Sequence, residues 1–292
     1  MASESKQAFY IAQTIKQKES TAATKSAPVL DDEERKILRR KHTIRIGRAV
    51  VAILLFVGWE VFARLGWLDT YYWSCPSMIL RTTVTQFTKG SLWGDIVYTS
   101  GATIIGFITG TFFGAILGLS FWWSKAYAGI SEPYLIILNA LPKLALAPVL
   151  VILFGIGFTS KVMLAFLMTV IVTALSAYSG VKSVDPAMET LLYSLGAKRR
   201  QVFTKVVVPW SMPWIISSLR INIALALAGA IVGEFIASRQ GVGRMIIFAG
   251  TILDINLVWV GVLVLSVLSM LMYWGVVLLE QWLSKKWAVM QS

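Results

Sequence analysis

The sequence predicts an all-α membrane protein that crosses the bilayer about six times and carries a helix-turn-helix segment between two crossings. Its composition is the first reason: apolar residues fill 57% of 292 positions and charged residues 14%, against roughly 45–50% and about 25% in soluble domains. The second is spacing. A crossing takes about 20 mostly apolar residues, and such stretches recur at 49–68, 100–123, 137–158, 162–178, 214–237 and 257–283. The third is one stretch between them, METLLYSLGAKRRQVFTKVVVPW at 188–210, which is basic, amphipathic and interrupted by glycine.

Taken in order, residues 1–47 are polar and charged and read as a retained cytoplasmic tail, because they lack the short apolar core and small-residue cleavage site of a signal peptide. The end of that tail, DDEERKILRRKHTIRIGR, is either disordered or an amphipathic helix on the membrane surface. The first crossing, 48–68, places Glu60 and Arg64 four apart, where they neutralise each other on one helix face. The second carries Gly106, Gly110, Gly114 and Gly118. Small residues at that spacing line one face and let another helix approach closely.

The third crossing is punctuated by proline. Asn139, Pro142, Lys143 and Pro148 lie within it, and an ionisable residue at such depth is a candidate for the translocation path or else snorkels or pairs structurally. Prolines there free backbone carbonyls, which is tolerated where helices pack or line a cavity. Glu234 in the fifth crossing is the second charged pathway candidate, or a structural partner of Lys143 or Arg244. Arg220, about two turns into the same helix, is expected to snorkel to the cytoplasmic interface.

Lys and Arg set the orientation, since positive residues collect on the cytoplasmic side. With both termini inside, the basic tail, Lys125, Lys182, Lys198, Arg199, Arg200, Lys205, Lys285 and Lys286 all fall inside. Only Arg81, Lys89, Lys161, Arg239 and Arg244 remain outside. The net charge of +12 therefore reads as topology and contact with anionic membrane lipid rather than nucleic-acid binding. Residues 284–292 then form a cytoplasmic C-terminal tail.

Within 188–210 and the residues just before it, Asp185 followed by Pro186 is a helix start and Gly196 a helix stop. A second amphipathic helix is expected over 198–208, ending at Pro209. Lys198, Arg199 and Arg200 at its N-terminus oppose the helix dipole, so an anion should compensate them: lipid headgroups or an acidic partner. Leu191, Leu192, Leu195, Val202 and Phe203 add an apolar side to the hairpin, which favours a protein groove.

Enzymatic chemistry has too few parts. The single cysteine (Cys75) and single histidine (His42) leave no His/Cys metal site and no Ser-His-Asp or Cys-His arrangement. No G-x-x-x-x-G-K-[ST] occurs, so the chain has no phosphate-binding loop of its own. A membrane enzyme acting on lipids would need clustered acids or histidines, and the loops offer only scattered acids such as Asp185 and Glu189. An ion-gradient-driven secondary transporter is the alternative from another class. Such proteins show internal repeats and paired interrupted helices; here no repeat is visible and only the third crossing is broken by proline.

At this point the residues resemble a known family. VDPAMETLLYSLGAKRRQVFTKVVVPWSMPWI is similar to the cytoplasmic EAA loop of ABC importer permeases, in particular those serving nitrate, sulfonates, taurine, bicarbonate and related solutes. Gly196, Val206, Val208 and Pro209 stand at the family's Gly, Ile, Leu and Pro positions. Thr190, Leu191 and Leu192 occupy the E-A-A positions, with Glu189 one residue early. SEPYLIILNALPKLALAPVLVILFGIG and LRINIALALAGAIVGEFIASRQGVGRMI resemble the family's third and fifth crossings, so the resemblance covers about 90–283.

The resemblance implies the type I ABC importer permease fold in a bacterial cytoplasmic (inner) membrane. It implies a second permease copy forming a homodimer, two ABC ATP-binding subunits that hold ATP and Mg, and an extracytoplasmic solute-binding protein. This chain would bind no cofactor or metal and would have no catalytic residue. Its loop 183–210 would dock in the ATPase through Glu189, Thr190, Leu191, Leu192, Ser194, Leu195, Gly196, Ala197, Lys198, Arg199, Arg200, Val202, Phe203 and Pro209. Transport would proceed by alternating access, with a cationic Lys143 favouring a small anionic solute.

Overall fold

The structure is a computed structural model and describes residues 32–90 and 92–291. Every regular element among them is helical. Contacts divide the chain into two compact units, Met1–Val61 and Phe62–Ser292. In the first, residues from Asp32 onward belong to helix α1, Asp32–Arg64; residues 1–31 of the expected tail lie outside the described residues. Val51, Ile53, Leu54 and Leu55 of α1 are exposed, as suits a helix whose backbone is satisfied internally and whose side chains meet lipid.

The second unit begins with α2, Thr70–Trp73, and α3, Pro76–Lys89. Asp69 caps α2 by accepting the Tyr71 N–H at 2.8 Å, and Pro76 sits in the first turn of α3. Hydropathy overlooks α3 because it is amphipathic and only 14 residues long. Helices α4 (Leu92–Ser120), α7 (Phe158–Lys182) and α9 (Arg199–Ile236) form the core. They are longer than the apolar stretches that predict them: α4 and α9 begin earlier, and α7 extends at both ends.

Helix α7 is central, and glycine decides how closely its neighbours approach. On α4, a Cβ at Gly106 would meet Ala165, at Gly110 Thr169, at Gly114 Val170 and Thr173, and at Gly118 Ala174 and Ala177. On α9, a Cβ at Gly229 would lie 3.0–3.1 Å from Met168 and Ala165. Small residues thus bring two helices onto α7 at near backbone contact. Asn222 of α9 donates to Thr173 Oγ1 at 2.7 Å across one of these seams.

The proline-broken third crossing is located, and one expectation is corrected. The stretch 137–158 is not one continuous helix: α5 (Lys125–Ala140) and α6 (Ala147–Phe154) are separated by a 3-10 turn, Lys143–Leu146, and bent by 83°. Pro142 disfavours helical geometry in the residue before it, and Leu141 is extended at φ −60°, ψ 140°. Pro148 then sits in the first turn of α6, where its missing N–H costs nothing. The correction is that Pro209 does not end a helix. A five-residue π segment, Phe203–Val207, ends two residues before it, and the widened turn relieves the clash between the proline ring and the carbonyl four residues earlier. Helix α9 therefore runs 38 residues from Arg199 to Ile236.

The last elements are α10, Val242–Thr251, and α11, Ile255–Gln291. Helix α11 runs on through most of the expected 284–292 tail. Five described helices are long and apolar enough to cross a membrane, and the bent α5–α6 pair makes a sixth if counted as one span.

Candidate functional site: hairpin, broken span and buried latch

The hairpin is built from local signals. Asp185 Oδ1 accepts the Ala187 N–H at 2.8 Å and Pro186 opens helix α8, Pro186–Ser194. The chain reverses at Gly196, φ 81°, where Ala197 N–H returns to the Leu192 carbonyl at 2.9 Å. A left-handed residue at this position is easiest for glycine. Lys198 then donates its N–H to Gln201 Oε1 at 2.7 Å and α9 begins.

Its inner side is clamped to the ends of α4 and α7. Trp122 Nε1 donates to Glu189 Oε1 at 2.9 Å, and Trp210 Nε1 donates to the Ser183 carbonyl at 2.9 Å. The Phe203 ring lies 5.5 Å from Trp122 and 5.3 Å from Trp123, while Val202 is fully buried. The Arg199 guanidinium stacks at 5.3 and 5.4 Å over the same two indoles and donates to the Trp123 carbonyl. Aromatic faces and a carbonyl thus compensate one cation of the helix start without a carboxylate.

The outer side is different. Leu191 and Leu195 are exposed, with Met188 beside them at helical spacing. Thr190 and Ser194 bond back to the Pro186 and Thr190 carbonyls, and Lys198 and Arg200 are exposed. Leu192, Ala197 and Pro209 are half-buried.

At the bend of the third span, Lys143 Nζ donates to the Asn139 carbonyl at 2.9 Å and to Asn139 Oδ1 at 3.2 Å. Pro142 and Pro148, both exposed, flank it. This arrangement holds one ammonium at a helix end, with donor capacity left for a ligand.

Glu234 lies at the other end of the bundle from the hairpin, 1% exposed. It accepts from Thr99 Oγ1 at 2.8 Å and from the Gly243 N–H at 2.8 Å. Thr99 accepts the Val242 N–H at 3.0 Å, and Asp95 accepts the Gly241 N–H at 2.7 Å. These bonds latch the turn before α10 onto α4 and α9. The cation that interacts electrostatically with Glu234 is Lys161, fully buried with its ammonium on Ser160 Oγ at 3.3 Å and on the Ala237 carbonyl. The expected partners Lys143 and Arg244 are not used: Arg244 is stacked over Phe248 at 6.0 Å. Arg220 likewise does not simply snorkel but pairs through Nε with Glu280 of α11.

Asp95, Thr99, Lys161, Trp122 and Trp123 were not singled out by sequence as site residues. The one signal available was their type, polar or aromatic groups at the ends of apolar stretches. Among the described residues no group of three His, Cys, Asp or Glu side chains could hold a metal.

Comparison with known proteins converges on one assignment. Residues 110–285 match the family described as binding-protein-dependent transport system inner membrane component. The chain is 31% identical over 249 residues to the taurine transport system permease protein TauC of Escherichia coli (strain K12), covering 84% of this chain and 90% of that one. It is 30% identical over 228 residues to the formylaminopyrimidine transport permease protein ThiX of Halalkalibacterium halodurans, covering 78% and 90%. Among solved structures, a chain of the inward-facing MetNI methionine ABC transporter superposes with a TM-score of 0.56 at 16% identity, covering 65% of this chain and 94% of that chain. A glycine-packed bundle with a broken third span thus has the fold of an ABC importer permease, and the chain belongs to the binding-protein-dependent transport system inner membrane component family, as the subunit that forms the translocation path rather than a catalytic one.

Proposed function

We propose that this permease serves an ATP-driven importer of a small anionic solute, and that the 183–210 hairpin is where ATP hydrolysis is coupled to it. One observation carries the coupling reading. Leu191 and Leu195 are exposed at 56% and 74% on a helix outside the long apolar spans, and such a stripe is the pattern of a helix that docks in a protein groove. The Lys and Arg distribution supports placing that hairpin, with both termini, in the cytoplasm of a bacterium. Two ATPase subunits would hold ATP and Mg, two copies of this chain would enclose the path, and an extracytoplasmic binding protein would deliver the solute. Closure of the ATPases would pull the hairpins and switch the bundle between inward-open and outward-open states.

The solute class rests on Lys143, an ammonium held at the break of the third span by Asn139, and on the sulfonate carried by taurine, the solute in TauC's name. Pro142 and Pro148 keep backbone open beside it, as in other interrupted helices that line a path. The deciding experiment is co-purification of the tagged chain from its native membrane. Leu191→Glu with Leu195→Glu is expected to lose a P-loop ATPase that the unaltered chain retains. Equal recovery of the ATPase would overturn the coupling assignment.

A further inference from the structure

A pocket of about 470 Å³ opens between the hairpin and the bundle, where the end of α4, the start of α5 and the end of α7 meet. Lys125, Lys182 and Arg199 line it, against the single carboxylate of Glu189, with Trp122 and Tyr193 between them. The cations are not equally engaged. Arg199 is stacked on Trp122 and Trp123, and Lys182 is shared with Glu132 at 2.6 Å and lies over Tyr178 at 4.5 Å. Lys125, at the first position of α5, has no partner among the described residues.

We propose that this pocket binds the phosphate headgroup of an anionic phospholipid. Basic pockets between crossing helices on the cytoplasmic side take such headgroups, and the cations here exceed the anions. The level also fits, because three spans end around the pocket. An apolar position continues the pocket face of α5: Ile136, two turns beyond Gly129 on the same side of the helix, is 54% exposed, a contact for acyl chains. The bound lipid wedges between the hairpin and the three span ends, so the setting of the coupling hairpin depends on it. This inference rests on the hairpin facing the cytoplasm, as proposed above.

The test uses the full complex purified from membranes and placed in vesicles of phosphatidylcholine, alone or with phosphatidylglycerol. Retained phospholipid is read by native mass spectrometry and coupling by ATP hydrolysis. Lys125→Ala should retain phosphatidylglycerol roughly fivefold less well, the worth of one basic residue at a membrane surface. Gly129→Phe plugs the pocket without altering charge, since Gly129 lines it and a Cβ there meets nothing within 4 Å; it should abolish both retention and stimulation by phosphatidylglycerol. Unchanged retention in both variants overturns the proposal. So does stimulation of phosphatidylcholine vesicles by inorganic phosphate, which would mark a free-anion site, or a cross-link from Gly129→Cys to the ATPase, which would mark a protein segment as occupant. Leu191→Glu separates the two readings: it removes the ATPase if the hairpin docks there, yet leaves lipid retention on the permease intact.

Discussion

Trp122 and Glu189 join the second span to the hairpin: the indole Nε1–H donates to the carboxylate at 2.9 Å. A helical side chain one residue along points about 100° away, and Thr190 accordingly turns its hydroxyl back to the Pro186 carbonyl. Glu189, unlike its neighbour Thr190, thus has an inward partner. Glu189→Ala should cost about 2 kcal/mol of hairpin anchoring, the worth of a hydrogen bond to a charged group, and lower solute transported per ATP hydrolysed. Glu189→Gln keeps an acceptor and should retain most coupling. Equal coupling in both variants and the parent would remove Trp122–Glu189 from the mechanism.

Gly196 stands at φ 81° with nothing within 4 Å of a would-be Cβ. The cost of substitution is therefore backbone strain rather than crowding, about 1–2 kcal/mol for an ordinary L-residue. Gly196→Asn should be tolerated better than Gly196→Val, and Gly196→Asp should uncouple ATP hydrolysis from uptake. Coupled uptake measured in proteoliposomes distinguishes the three.

Gly114→Ala would push a methyl group into Val170 and Thr173 of α7 and should cost about 1–3 kcal/mol by overpacking. Gly94→Ala, on the same helix with open space around it, is the control and should be neutral. Thermal unfolding in detergent reads the difference, and equal midpoints would count against close α4–α7 packing.

Lys143→Ala and Lys143→Glu should reduce uptake of sulfonates about tenfold or more, the effect of losing one charge-assisted contact worth about 1.5–3 kcal/mol. Lys143→Arg should preserve part of it. Uptake unchanged across candidate anions would separate Lys143 from the path.

Glu234→Ala strands the Gly243 N–H and the Thr99 hydroxyl in a buried site, at about 1–3 kcal/mol each. Limited proteolysis should then cut the 237–241 turn faster, while the ATPase still co-purifies because the hairpin is at the other end. Loss of the ATPase in that variant would show that the two ends are not independent.

The fold class was legible because hydrophobic length and glycine spacing are local properties of the chain. The Gly106-to-Gly118 stripe announces a close contact, yet only the structure shows that Ala165, Thr169, Thr173 and Ala177 of α7 receive it. The break at Pro142 could be placed, but not its 83° angle, which depends on packing beyond the dipeptide. Pro209 misled for a related reason. Propensity says a proline interrupts a helix, and the π segment that lets α9 pass it has no composition signature. Lys161 was lost in a count of charges by side, since burial against Ala237 and Gly233 is a tertiary fact.

The π segment has a mechanical consequence. With it, Arg199 and Ile236 lie on one helix rather than on two pieces hinged at Pro209. At 1.5 Å per residue that rod is about 55 Å long, so tipping it by about 10° about one end sweeps the other by about 10 Å. Its near end is clasped by Trp122 and Trp123, and its far end carries Glu234 and the turn latched to Asp95 and Thr99. A stroke delivered at the aromatic clasp would be carried to the opposite rim along one continuous helix, a lever whose length sets its gain.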